Sequence, residues 1–109
     1  MTNNTIAFPS GSSEVRSVAH EMLNHLAQSA AKCPLKIRIT GHVDATPTEA
    51  ADPNLSQARA DAVAAYLASK GVARKRISAI GAGTEQPVGD NATPAGQAKN
   101  RRIEITVTN

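Results

Sequence analysis

Asp44 and Arg59 are the side chains of this 109-residue chain whose types and spacing point most directly to chemistry. Asp44 ends the alternating stretch Leu35-Lys36-Ile37-Arg38-Ile39-Thr40-Gly41-His42-Val43-Asp44, and Arg59 lies fifteen positions on, in Leu55-Ser56-Gln57-Ala58-Arg59-Ala60. A strand end, a polar loop and the start of a helix bring a carboxylate and a guanidinium within reach of one shallow site. Such a site can hold a zwitterion: Asp44 takes an ammonium, and Arg59 takes a carboxylate in a forked, charge-assisted pair. The same residues can equally form a partly exposed ion pair of their own, worth under about 1 kcal/mol.

The elements that must position them are legible from periodicity. Residues 5–8 read as a short strand with Ile6 and Phe8 on one face, preceded by Met1–Asn4 as a linker start. Val15, Val18, Ala19, Met22, Leu23, Leu26, Ala27 and Ala30 recur at helical spacing, which predicts a helix over 14–31 capped by Ser12 or Ser13. Leu35, Ile37 and Ile39 alternate with Lys36, Arg38 and Thr40, the pattern of a half-buried strand. Residues 41–54 read as a polar loop, and Asp52-Pro53 as N-cap and first position of a helix over 53–70 with Leu55, Ala62, Val63, Tyr66 and Leu67 inward. A third strand is expected over 76–81. A long irregular connection follows, with one helical turn at 94–99, and a closing strand in which Ile103, Ile105 and Val107 alternate with polar residues. The order β-α-β-α-β-loop-β predicts an α+β, two-layer sandwich: a mixed four-stranded sheet with the helices on one face.

Composition narrows the function. The length suits a single domain spanning 1–109. Hydrophobic residues make up 40%, but there is one Phe, one Tyr and no Trp, so the core must be aliphatic and platforms for stacking bases are scarce. A net charge of +3 permits attraction to an anionic partner, without any dense basic run. Cys33 is alone and reads as a small hydrophobe. No His or Cys partners stand at metal-ligand spacing, so neither metal nor organic cofactor is expected. The chain shows no apolar run of membrane-spanning length and no signal peptide.

Catalytic signatures are missing too. There is no Gly-x-Ser-x-Gly elbow, no phosphate-cradling Gly-Lys-Ser/Thr, and Gly81-Ala82-Gly83 lacks a third glycine and a following helix, so it reads as a turn. His42 and Asp44 lie close together, but no nucleophile accompanies them. The chain reads as a non-enzyme.

Several ordered motifs resemble the OmpA-like peptidoglycan-binding domain. Ile39-Thr40-Gly41-His42-Val43-Asp44 is similar to the family's hydrophobic-x-Gly-His-Thr-Asp, and Leu55-Ser56-Gln57-Ala58-Arg59-Ala60-Asp61-Ala62-Val63 to its Leu-Ser-x-x-Arg-Ala-x-x-Val. Gly71-Val72, Ile77, Gly81-Ala82-Gly83, Pro87, Asn91–Gly96 and Asn100-Arg101-Arg102-Ile103-Glu104-Ile105 continue the likeness, which runs from Ile6 to Val107.

The resemblance implies a periplasmic domain that grips the peptide stem of the cell wall without covalent chemistry and anchors a larger envelope protein, itself membrane-anchored. Asp44 would take the ammonium of diaminopimelate and Arg59 its carboxylate, aided by the start of the second helix. Thr46, Asp52 and Leu55 would line the site. Arg101 would sit on its rim and Arg102 on the outer face of the strand. Departures from the pattern are Val43 for Thr, Asp52 for Asn, Gln97 for Arg, Gly11 for a polar residue, and a glycine-free loop over 45–51. The alternative is an interaction module of a secretion or motility complex with the same fold and little wall binding. Three expectations follow. Asp44 and Arg59 should face one solvent-open pocket. Alanine at either should abolish wall binding with the fold intact. Lysine-type stems, which lack the second carboxylate, should bind about ten- to a hundredfold more weakly.

Overall fold

A computed structural model describes residues 2–32, 35–84 and 87–108. Its elements are β1 (Thr2–Ala7), α1 (Ser17–Lys32), β2 (Lys36–Gly41), α2 (Pro47–Ala50), α3 (Leu55–Ser69), a 3₁₀ turn (Arg74–Arg76), β3 (Ile77–Gly81), α4 (Pro94–Asn100) and β4 (Arg102–Thr108). The strands form one sheet in the order β1-β4-β2-β3, with β2 parallel to β3 and β4 antiparallel to its neighbours β1 and β2. This is the expected α+β arrangement.

Register explains why one face of the sheet is dry. Ile37 pairs with Val107 and Ile77, Ile39 with Ile105 and Ala79, and Ile6 with Ile103, so the apolar residues of neighbouring strands fall in rows. Leu23, Leu26 and Ala27 of α1 and Val63, Ala64 and Leu67 of α3 join the same buried cluster, with Phe8 closing one end. The opposite face carries Lys36, Arg38 and Ser78 into solvent.

Helix α3 lies against β2 and β3 and sets how close the layers come. A Cβ on Gly41 would collide with the Ser56 carbonyl, and one on Gly81 with the backbone of Gln57. Gly81 is therefore a strand residue kept bare for the helix rather than part of a turn. Gln57 exploits the closeness: its amide donates to the Ala79 carbonyl at 3.0 Å and accepts from the Gly81 N–H at 2.9 Å.

Several boundaries move. Thr2–Asn4, expected as linker, pair with β4 and lengthen β1. Helix α1 starts at Ser17, and Ser12 does not cap it, since its hydroxyl accepts from the Glu14 N–H and its carbonyl from Arg59. Helix α3 starts at Leu55 with Asn54 as N-cap, because the Asp52 carboxylate folds back onto the Asn54 N–H at 2.9 Å instead of capping a helix at Pro53. The expected turn at 94–99 becomes α4, capped by the Thr93 hydroxyl accepting from the Gly96 N–H. Within the polar loop a helix appears that periodicity did not reveal, α2. Cys33 lies outside the described residues.

Candidate functional site

At the end of β2 the chain passes beneath several loops, and the charged residues there are buried. Asp44, Glu49 and Arg59 each have 0% exposure and His42 has 1%. Burial of that kind is tolerated only when donors and acceptors are matched, and here they are matched one by one around Arg59.

The guanidinium of Arg59 has five N–H groups, and all five are taken. Nε donates to the Ser12 carbonyl at 2.8 Å, Nη1 to the His42 carbonyl at 3.0 Å and Nη2 to the Pro9 carbonyl at 3.1 Å. The remaining fork grips Glu49, with Nη1 to Oε1 at 2.7 Å and Nη2 to Oε2 at 2.6 Å. Glu49 receives two backbone donors as well, Gly11 N–H on Oε2 at 2.6 Å and Asp44 N–H on Oε1 at 3.3 Å. The Phe8 ring lies under the guanidinium, 5.3 Å from its centroid to Cζ.

Asp44 has other partners. Its Oδ1 accepts from the Thr46 N–H at 2.8 Å and from the Thr46 hydroxyl, and its Oδ2 from Arg101 Nη1 at 2.9 Å. Burial alone would raise the Asp44 pKa, but the bonds from Thr46 and Arg101 outweigh it and hold the carboxyl below its ordinary value. Arg101 also donates to the Phe8 carbonyl at 3.1 Å and reaches solvent with 18% side-chain exposure.

A second polar layer supports the first. Asn100 accepts from the N–H groups of Val88 and Gly89 and donates to the Gly89 carbonyl and to Asn91 Oδ1. Asn91 in turn accepts from the Ala45 N–H at 3.1 Å, tying the loop after Asp44 to the one before α4.

Of the residues singled out in the sequence, Thr46 and Arg101 are therefore each bonded directly to Asp44. Arg59 joins them through Glu49, which its guanidinium shares with the Asp44 N–H. Leu55 is buried beside them in sequence as the first residue of α3, and Asp52 is exposed with its carboxylate engaged by Asn54. Arg102 is buried, at 4% exposure, with Nε on Glu104 Oε2 at 2.8 Å.

Three expectations need correction. Asp44 and Arg59 do not face an open pocket, because Arg101 and Glu49 cover them. Alanine at Arg59 should disturb the fold as well, since it removes the cation paired with Glu49 and one donor from each of three carbonyls. The backbone donors beside Arg59 also come from Gly11 and Asp44.

Glu49 is the residue that sequence reasoning missed. A cue exists in Thr46-Pro47-Thr48-Glu49, the spacing of a helix-opening box in which Thr caps and Glu reaches back. The helix forms, with Pro47 at its start, but Thr46 makes no side-chain cap because its hydroxyl goes to Asp44. Glu49 goes to Arg59.

The motifs and the fold agree with what the comparisons find. The family model described as the OmpA family matches residues 7–101. The chain belongs to the OmpA family. Its relatives include the peptidoglycan-binding protein ArfA of Mycobacterium tuberculosis, 40% identical over 108 residues that make up 98% of this chain and 33% of ArfA. The chain thus spans about a third of that relative. Among OmpA-like solved structures, the peptidoglycan-associated lipoprotein of Burkholderia pseudomallei superposes with a TM-score of 0.89 at 30% identity, covering 95% of this chain and 89% of that one. The cell wall anchor of the Pseudomonas aeruginosa type VI secretion system (T6SS) gives 0.79 at 35% identity, covering 97% and 79%.

Proposed function

We propose that this OmpA-family domain binds peptidoglycan non-covalently through the diaminopimelate of the stem peptide, and so anchors a larger envelope protein to the wall from the periplasmic side. The carrying observation is the adjacency of two ionic half-sites. A forked guanidinium flanked by two backbone N–H groups suits a carboxylate, and the nearby Asp44 carboxylate suits an ammonium. Diaminopimelate presents both groups on one carbon. The names of ArfA and of the solved lipoprotein and wall anchor support the same reading. It requires binding only, with no bond made or broken.

Pull-down on purified sacculi tests this. Wild type should be retained on diaminopimelate-type sacculi and about ten- to a hundredfold less on lysine-type ones. Asp44→Asn, which keeps shape but loses charge, should lose retention while its melting transition stays cooperative. Equal retention of wild type and Asp44→Asn would defeat the proposal.

A second reading has an observation of its own. Asp44 and Arg59 already have internal partners, as a scaffold module without wall binding would have. Absence of wild type from both kinds of sacculi would favour it.

A further inference from the structure

The three carbonyls around Arg59, those of Pro9, Ser12 and His42, take three of its donors and leave the outward fork. That fork and the N–H groups of Gly11 and Asp44 are four convergent donors, a complete receptor for one carboxylate. The carboxylate inside it belongs to the protein. No N–H of Arg59 is left for a second one, so a ligand carboxylate can reach the guanidinium only by exchange.

The segment that delivers Glu49 is suited to release it. Helix α2 is four residues long, too short to hold itself. Glu49 is its one buried residue, while Pro47, Thr48 and Ala50 are exposed, as are Ala51–Asn54 beyond them. Among the residues of α2, Glu49 makes the side-chain hydrogen bonds to the rest of the fold. Withdrawing it leaves the Arg59 carbonyl bonds and the Asp44–Arg101 pair in place.

The geometry points to Glu49 as an internal ligand: the Arg59 fork with the Gly11 and Asp44 N–H groups is a carboxylate receptor that α2 keeps occupied, and the wall peptide binds by displacing Glu49. This rests on the peptidoglycan reading for the identity of the displacing group, but the receptor itself does not. Occupancy by Glu49 lowers apparent affinity by the fraction of molecules in which the fork is free. It also screens ligands, because a group without a free carboxylate cannot replace the four bonds that Glu49 gives up.

Two probes separate the receptor from the wall reading. The first is acetate, followed by NMR on the Arg59 side-chain N–H signals in wild type, Glu49→Ala and Glu49→Gln. Acetate should saturate the fork in Glu49→Ala and leave wild type unmoved. The Gln variant, with nearly the same shape but no charge, should respond in between and covers the case in which Ala does not fold. Folded variants whose Arg59 signals ignore acetate would overturn the internal-ligand proposal. The second probe is calorimetry with stem tripeptides. The diaminopimelate tripeptide should bind Glu49→Gln roughly tenfold tighter or more than wild type, and the lysine tripeptide should gain nothing. Unchanged or weaker binding of the diaminopimelate tripeptide by Glu49→Gln would also overturn displacement. Acetate binding to the variants with no tripeptide binding to any protein would sink the peptidoglycan reading and leave the receptor standing.

Discussion

One strand, β2, has two ends of opposite character. At its start Lys36 and Arg38 stand in solvent on the outer face, over a groove of about 460 Å³ that they line with Lys75 and Arg76. Beyond its other end His42 and Asp44 are sealed. Both ends are rich in charge, so the sequence treats them alike. What differs is the cover: few groups close over Lys36 and Arg38, whereas the loops from β1, α2 and α4 converge over His42 and Asp44. An exposed charge keeps its water and is nearly free to vary. A buried one is either matched by partners or pushed toward its neutral form, and its neighbours become part of its chemistry.

The largest consequence should follow at Arg59. Arg59→Ala should cost about 3–5 kcal/mol, because it leaves the Glu49 carboxylate buried without its counter-charge. Replacing both Arg59 and Glu49 by apolar residues of similar volume should recover much of that loss, as expected when no lone charge remains. Chemical denaturation measures both. A small effect of Arg59→Ala would erase the distinction between the two ends of the strand.

A smaller effect comes from His42. Among the described residues neither ring nitrogen has a hydrogen-bond partner, and Glu104 Oε1 lies 3.6 Å from Nε2. Burial, and next the positive charge of Arg102, lower its pKa below the ordinary 6.5, while Glu104 pulls the other way. The folded protein thus resists a proton that the unfolded chain accepts. Stability should fall as pH drops below about 6.5 through the folded pKa. Asp44 has the depressed-carboxylate pattern, so its contribution is present above its ordinary 3.8 and lost only below that. Denaturation midpoints of wild type and His42→Asn, compared between about pH 7.5 and 5.5, should differ in slope. Parallel curves would sink the assignment.

The smallest effect belongs to the open end. Lys36→Ala and Arg38→Ala should each change stability by no more than about 0.5 kcal/mol. A larger change in the same denaturation experiment would mean that this end, too, is structurally committed.

Much of the fold could be read in advance because its signals are local. The alternation in Leu35–Thr40 and Arg102–Val107 and the helical spacing from Val15 to Ala30 depend only on backbone period, and the structure places all but Leu35, Val15 and Arg16 in β2, β4 and α1. Helix starts were harder. Ser13 and Asp52 are good caps by type, but each side chain or its neighbour had a competing backbone partner two residues away or across the fold. The ionic layer was half legible: Asp44, Thr46 and Arg101 do meet, and Arg59 lies alongside.

The sequence by itself determined the periods, the aliphatic core, the α+β order and three of the charges that meet beyond the end of β2, those of Asp44, Arg59 and Arg101. It could not determine their pairing. Asp44, Glu49 and Asp52 all lie within a short loop upstream of Arg59, and side-chain type does not choose among three carboxylates. Tertiary structure chose Glu49, because Pro9, Ser12 and His42 aim their carbonyls at the guanidinium from segments far apart in the chain and leave its fork facing α2. Gly41 and Gly81 follow the same rule: their bare backbone matters only once α3 lies against them. Local patterns fix what each segment can be, and packing across long sequence separations decides which groups must satisfy one another.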